Sequence, residues 1–280
     1  MLRKRVLSSL FALSLGASLV ASESAHALPA GVAASERDPA LIMKEVFRTG
    51  GFGAPRVGKL KLTVQPTGGE KKERVLRVRY KGDGAARRAI MWVEAPSESR
   101  GTGFVSIEYP GGKLPAERWI YLANLKRSSR IAGGQMSTSF LGSDLSFSDL
   151  SQADPSALNL KLVKESELVN GEDCWVIAGT YRDSAQQAET GYSEVQAWIS
   201  KAKLTMVRLR APLAGSKVTK YMEGSDFLQV GGQWTPKKLV VRSVEDGKVK
   251  SETVLETVEL RTDDAVSDTD FTKQRLEAGI

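Results

Sequence analysis

The sequence predicts a mainly β protein built on an antiparallel sheet that curls over its own apolar face. Three observations predict it. Beyond residue 56 the hydrophobic period is 2, as in Leu60, Leu62 and Val64 set against Lys59, Lys61 and Thr63. Tight-turn dipeptides punctuate the short apolar runs, among them Gly68-Gly69, Asn170-Gly171, Gly231-Gly232 and Asp246-Gly247. Only two or three short helices are legible, far too few to cover one face of roughly ten or more strands. A sheet of that size must close over itself as a sandwich or a barrel, and the pattern alone leaves the choice open.

The elements follow in order. Residues 1–27 carry a basic start (Arg3, Lys4, Arg5), an apolar run from Val6 to Ala21, and Ala25-His26-Ala27, the organisation of a cleaved secretory signal peptide. Residues 28–37 read as a flexible N-terminus, and 38–280 as a single β domain. Asp38-Pro39 supplies an N-cap and a proline at the first helical position, and Leu41, Ile42, Met43, Val46 and Phe47 give a short amphipathic helix. Strands are predicted over 59–64, 76–80, 89–92, 104–109, 118–122, 174–182, 194–199 and 204–211, then near 217–222, 227–230, 238–244 and 248–260. Asp270 is expected to cap a last helix containing Phe271 and Leu276.

Composition excludes much chemistry. The only histidine, His26, lies at the predicted cleavage site, so the mature chain has no Ser-His-Asp or Cys-His pair and no His-based zinc site. The single cysteine, Cys174, cannot form an internal disulfide and sits in an apolar run as a small buried residue. Net charge falls from +7 to +5 when Arg3, Lys4, Arg5 and Glu23 are removed. Residues 56–130 hold 17 Lys and Arg against 7 Asp and Glu, and 131–280 hold 17 against 22. The basic part fits a solvated sheet face or a docking surface for an acidic partner or anionic lipid.

Three candidate constellations remain. Ser200 and Lys203 have S-x-x-K spacing but fall in a turn between strands. Asp263, Asp264, Asp268 and Asp270 cluster near the C-terminus without matching a calcium loop, and read as solvated loop and capping residues. The stretch 139–150 carries Asp144 and Asp149 together with Phe140, Leu141, Leu145, Phe147 and Leu150. Side chains that large must be buried, either as a lid over the mouth of the curved sheet or as an ordinary packed connection.

The runs GTGFVSIEY, ERWIYLANLKRSSRI and SFLGSDLSFSDL, followed in order by CWVIAGTY, VQAWIS, MVRLRA and QWTPKKLVVRSVEDGK, resemble the LolA-like outer-membrane lipoprotein-sorting family across roughly residues 38–262. The resemblance implies an unclosed antiparallel barrel around helical and lid-like elements, in the periplasm. It also implies a non-catalytic carrier that binds a lipid or lipoprotein in an apolar cavity, with transient membrane contact. An alternative is an adaptor for an inner-membrane transporter of the resistance-nodulation-division type. A carboxylate enzyme such as a glycosidase is a third, minor reading. The expected cavity lining is Leu62, Leu76, Val78, Tyr80, Ile90, Trp92, Trp119, Tyr121 and Trp198, with Phe140, Leu141, Leu145 and Phe147 as the lid. No catalytic residue, metal or cofactor is expected, and no nucleic acid.

Overall fold

A computed structural model describes residues 32–49, 53–83, 85–109, 111, 114–151 and 155–279. The predicted signal segment lies outside them. Among the described residues no helix is long and apolar enough to cross a membrane.

Helix α1 (Pro39–Thr49) begins where predicted, with Asp38 Oδ1 accepting from Ala40 N at 2.8 Å. It is followed by β1 (Arg56–Pro66), β2 (Lys72–Gly82), β3 (Arg87–Ala95), β4 (Gly103–Glu108), β5 (Glu117–Leu122) and β6 (Arg127–Arg130). A long connection containing α2 (Phe147–Leu150) leads to β7 (Leu158–Val169) and β8 (Glu172–Tyr181). Then come α3 (Ser184–Thr190), β9 (Val195–Ser200), β10 (Thr205–Pro212), β11 (Val218–Val230), β12 (Gln233–Glu245), β13 (Lys248–Thr262) and α4 (Lys273–Ala278).

All thirteen strands belong to one antiparallel sheet in the order β6-β5-β4-β3-β2-β1-β13-β12-β11-β10-β9-β8-β7. It is two meanders joined where β1 pairs with β13. The sheet is unclosed, because β6 and β7 are its two edges. The chain must therefore travel from one edge to the other between residues 131 and 157, across the open side.

Register aligns the apolar positions into rows on the inner face. One row runs Leu60, Leu76 and Val93; another runs Val78, Met91, Phe104 and Ile120. A third crosses the C-terminal meander through Val241, Met222, Leu209, Ala197, Ile177 and Leu162. With side chains alternating faces, each row buries on one side only.

Two elements cover this face. Ile42, Met43 and Val46 of α1 pack on Trp175, Ile177, Ala197 and Ile199, whereas Leu41 is exposed rather than part of the buried stripe. The crossing segment buries Ile131, Met136, Phe140, Leu145 and Phe147 on the rows of β1 to β4 and of β11 and β12.

Five elements differ from the sequence expectation. The two runs near 217–222 and 227–230 are one strand, β11, with Asp226 at φ 51° where the pairing with β12 skips a residue. Strands β6 and β7 and helix α3 were not predicted, although Leu158, Leu160 and Leu162 alternate with Asn159 and Lys161. Finally, α4 is capped by Thr272, whose Oγ1 accepts from Arg275 N at 3.0 Å. Asp270 instead accepts from Ser267 N at 2.9 Å and pairs with Arg79 at 2.6 Å.

Candidate functional site

The lid stretch is a miniature hairpin followed by one helical turn. Phe140 N donates to Leu145 O at 2.7 Å, and Leu141 (φ 53°) and Gly142 (φ 72°) form the turn. Leucine at positive φ is strained, a conformation held by the surrounding packing. Phe140 and Phe147 meet each other at 5.6 Å between ring centroids, and meet Phe104 of the sheet at 6.4 and 5.2 Å.

Two buried aspartates fasten this segment to the sheet. The Asp144 carboxylate accepts from Ser243 Oγ (2.5 Å), Ser251 Oγ and Thr253 Oγ1 (2.7 Å), and Thr253 Oγ1 also accepts from Asp144 N at 2.9 Å. Asp149 accepts from Lys220 Nζ of β11 at 2.7 Å, from the Tyr192 hydroxyl at 2.5 Å, and from Ser146 N at 2.8 Å. The Asp149 and Lys220 side chains are each 6% exposed. Burial and then the Asp149 charge push the Tyr192 hydroxyl well above its ordinary value. In the sequence both aspartates read as loop residues, and their side-chain partners outside the segment lie 43 to 109 residues away.

The predicted lining residues divide between the faces. Leu62, Leu76 and Val78 lie on the inner face beneath the lid, with Tyr80 packed beside them. The lid residues Phe140, Leu145 and Phe147 are buried in the same cluster, and Leu141 packs against it. Ile90, Trp92, Trp119 and Tyr121 are on the outer face, where they meet Val266, Phe271 and Leu276 of the C-terminal segment. Trp92 Nε1 donates to Leu276 O at 3.0 Å. Trp198 is also outward, packed with Val176 and Val207, and donates to Glu167 at 2.9 Å. These five residues therefore do not share a wall with Leu62. On β3 both faces are buried, so hydrophobicity marks Met91 and Trp92 alike and the face must come from register.

The other constellations are structural. Ser200 Oγ accepts from Lys203 N at 3.2 Å, while Lys203 Nζ is turned to Glu172 at 2.6 Å. Asp268 pairs with Lys81 at 2.7 Å and Arg88 at 3.1 Å. Cys174 is buried, and burial, followed by the nearby Glu172 and Asp173 charges, pushes its thiol up to about 11. Among the described residues no three His, Cys, Asp or Glu side chains gather to hold a metal.

A cavity of about 320 Å³ lies at the open side, between β4 and β5 from one end of the sheet and β7 and β8 from the other. Arg118 of β5 crosses it. The guanidinium holds Glu108 with two bonds, 2.6 and 2.7 Å, and reaches Glu189 of α3 with the third nitrogen. Burial raises the Glu108 carboxyl despite the Arg118 contact, and the Glu189 charge adds to the rise. Met136 lines the cavity and also belongs to the apolar cluster under the lid. No local signal marks this group, since Arg118, Glu108 and Glu189 sit on elements that read as solvated faces or were not predicted.

A sheet whose two ends approach each other across such a cavity invites comparison with known folds. A family model described as "Uncharacterized protein" matches residues 85–278. The chain belongs to that family, and its fold is LolA-like. A domain named for outer-membrane lipoprotein sorting, from Vibrio parahaemolyticus, aligns with TM-score 0.74 at 22% identity, covering 84% of this chain and 97% of that one. A DUF1329 family protein from Desulfovibrio piger gives TM-score 0.74 at 23% identity, covering 84% and 96%. A LolA superfamily protein from Nitrosomonas europaea gives 0.63 at 16%, covering 86% and 99%. At these identities the likeness to solved structures is one of fold. No curated protein matches the sequence. The LolA-like architecture thus accounts for the unclosed sheet and its covering elements, while the Asp144, Asp149 and Arg118 contacts are read from this chain alone.

Proposed function

We propose that this protein is a non-catalytic periplasmic carrier that takes the acyl chains of a lipid or lipidated protein onto the inner face of its sheet. The observation that carries the reading is the crossing segment 131–157. Over β1 to β4 and over β11 and β12, the cover of the inner face is a connection between the two sheet edges rather than a strand of the sheet. Magnitudes make an exchange feasible. Burying Met136, Phe140, Leu145 and Phe147 is worth about 6–12 kcal/mol gross, at ~1.5–3 each. A 16-carbon acyl chain gains about 12 kcal/mol gross at ~0.8 per methylene. The two gross terms are of the same order, so movement of the lid governs loading and release. The export signal predicted in residues 1–27 supports the compartment.

The alternative is an adaptor that binds a transporter and no lipid. The packed Phe104, Phe140 and Phe147 rings favour it, because they fill the inner face as an ordinary core does. Native mass spectrometry of protein taken from its own periplasm, before and after organic extraction, separates the two. A retained mass that extraction converts to lipid or acylated peptide supports the carrier. A clean apo mass with no uptake of added lipid leaves the adaptor.

A further inference from the structure

The cavity at the open side has a composition that the apolar carrier reading does not use. It is lined by two arginines, Arg118 and Arg87, the latter also donating to Phe47 O at 3.2 Å, and by two acidic residues, Glu108 and Glu189. Arg118 is 15% exposed and is shared between the carboxylates, so neither charge sign dominates. The Ser151 hydroxyl, on a residue only 7% exposed, lines the same cavity; it makes no complete hydrogen bond among the described residues, although it lies near enough to the Glu108 carboxyl to lower it. A buried hydroxyl without a complete hydrogen bond in a cavity wall is open to a ligand's polar group. Met136, which also lines the cavity, belongs to the apolar cluster beneath the lid.

A ligand matching these walls is amphiphilic and carries both charges on its polar end. A purely anionic head would meet two carboxylates, and a purely cationic one two guanidiniums. We propose that this cavity is a subsite for a zwitterionic head group, a phosphate and a primary ammonium a few atoms apart. The phosphate faces Arg87 and Arg118, and the ammonium faces Glu189 and the Ser151 hydroxyl. The acyl chains leave past Met136 onto the inner face, and in that respect the proposal rests on the carrier reading. Binding also reaches the lid. Glu189 belongs to α3, which packs on the 133–137 turn of the crossing segment, and Thr190 O accepts from Ser148 Oγ at 3.5 Å. A ligand that draws Glu189 away from Arg118 loosens the link between the sheet ends at the place where the lid is fastened.

The test titrates the purified protein with short-chain phosphatidylethanolamine, short-chain phosphatidylglycerol and free glycerophosphoethanolamine, read by calorimetry and native mass spectrometry. The expected result is about tenfold tighter binding of the ethanolamine lipid than of the glycerol lipid, the difference made by one charge-assisted hydrogen bond. Glu189→Gln, a partly exposed position whose loss leaves the Arg118–Glu108 pair intact, should abolish that preference, weakening the ethanolamine lipid and relieving the repulsion that the anionic glycerol lipid meets. Arg118→Gln should weaken both lipids, with circular dichroism confirming the fold. Equal affinity for the two lipids, unaltered by Glu189→Gln, overturns the subsite and leaves the carrier standing. Binding of glycerophosphoethanolamine without uptake of either lipid keeps the subsite and overturns the carrier. No binding of any of the three overturns both.

Discussion

Replacing Asp149 by asparagine removes the charge that holds Lys220 in the protein interior. Both side chains are 6% exposed, and Asp149 also anchors Tyr192 and the start of α2. Removing one member of a buried ion pair leaves the other charge without compensation, a loss of about 3–5 kcal/mol. At about 2–4 °C per kcal/mol for a chain of this size, the melting temperature should fall by roughly 6–20 °C. Lys220→Met alone strands the carboxylate and should cost a similar amount. The double variant Asp149→Asn, Lys220→Met carries no buried charge and should recover much of the loss, giving a coupling energy of about 2 kcal/mol or more. Chemical denaturation of the four proteins measures the cycle, and amide exchange over residues 139–150 shows whether the lid is what loosens. Additive single effects below about 1 kcal/mol, with unchanged exchange at the lid, would refute the claim that this pair fastens it.

Other outcomes follow from the same geometry. Phe147→Ala should cost about 3–5 kcal/mol and raise the binding of an apolar dye, because the ring leaves Phe104 and Phe140 uncovered; a variant as stable and as dye-silent as the parent would dismiss the lid. Aspartate at 140 or 147 is a poorer probe, since both positions are buried and the charge would have no partner. Leu276→Ala should cost about 2–5 kcal/mol and shift Trp92 emission to the red, as α4 seals that indole; an unmoved spectrum would place Trp92 elsewhere. Burial holds the Glu108 carboxyl above its ordinary 4.5, so the folded state binds that proton more tightly than the unfolded chain does. Its contribution to stability is therefore full below 4.5 and declines as pH rises through the raised value. The stability of the parent relative to Glu108→Gln should decrease with rising pH, and urea melts showing the opposite trend would contradict the burial argument. With its thiol at about 11, Cys174 should react at pH 8 on the order of 10² times more slowly than an ordinary cysteine, until urea unfolds the chain; fast native labelling would show the site to be open.

Alternation, turn residues and the scarcity of helices were enough to specify a large antiparallel sheet folded over its own apolar side, because those signals are local and act within a few residues. The same locality placed α1, through Asp38 and Pro39, and showed that the apolar residues of 139–150 had to be buried. Face assignment lay beyond it. Ile90, Trp92, Trp119 and Tyr121 are as hydrophobic as Met91 and Phe104, and only strand register puts the first four outward against α4. The edges β6 and β7 were illegible as edges, since which strand lacks a neighbour is a property of the assembled sheet. From that one fact follows the path of residues 131–157 across the open side, and with it the lid. Asp144 and Asp149 acquired their sheet partners only when that path brought distant chain together, and Arg118 its second carboxylate, Glu189, only when the two ends of the sheet met; its bonds to Glu108 lie within one hairpin. A charge in a sequence shows that it must be solvated or paired; which of the two happens, and with whom, is settled by the tertiary fold.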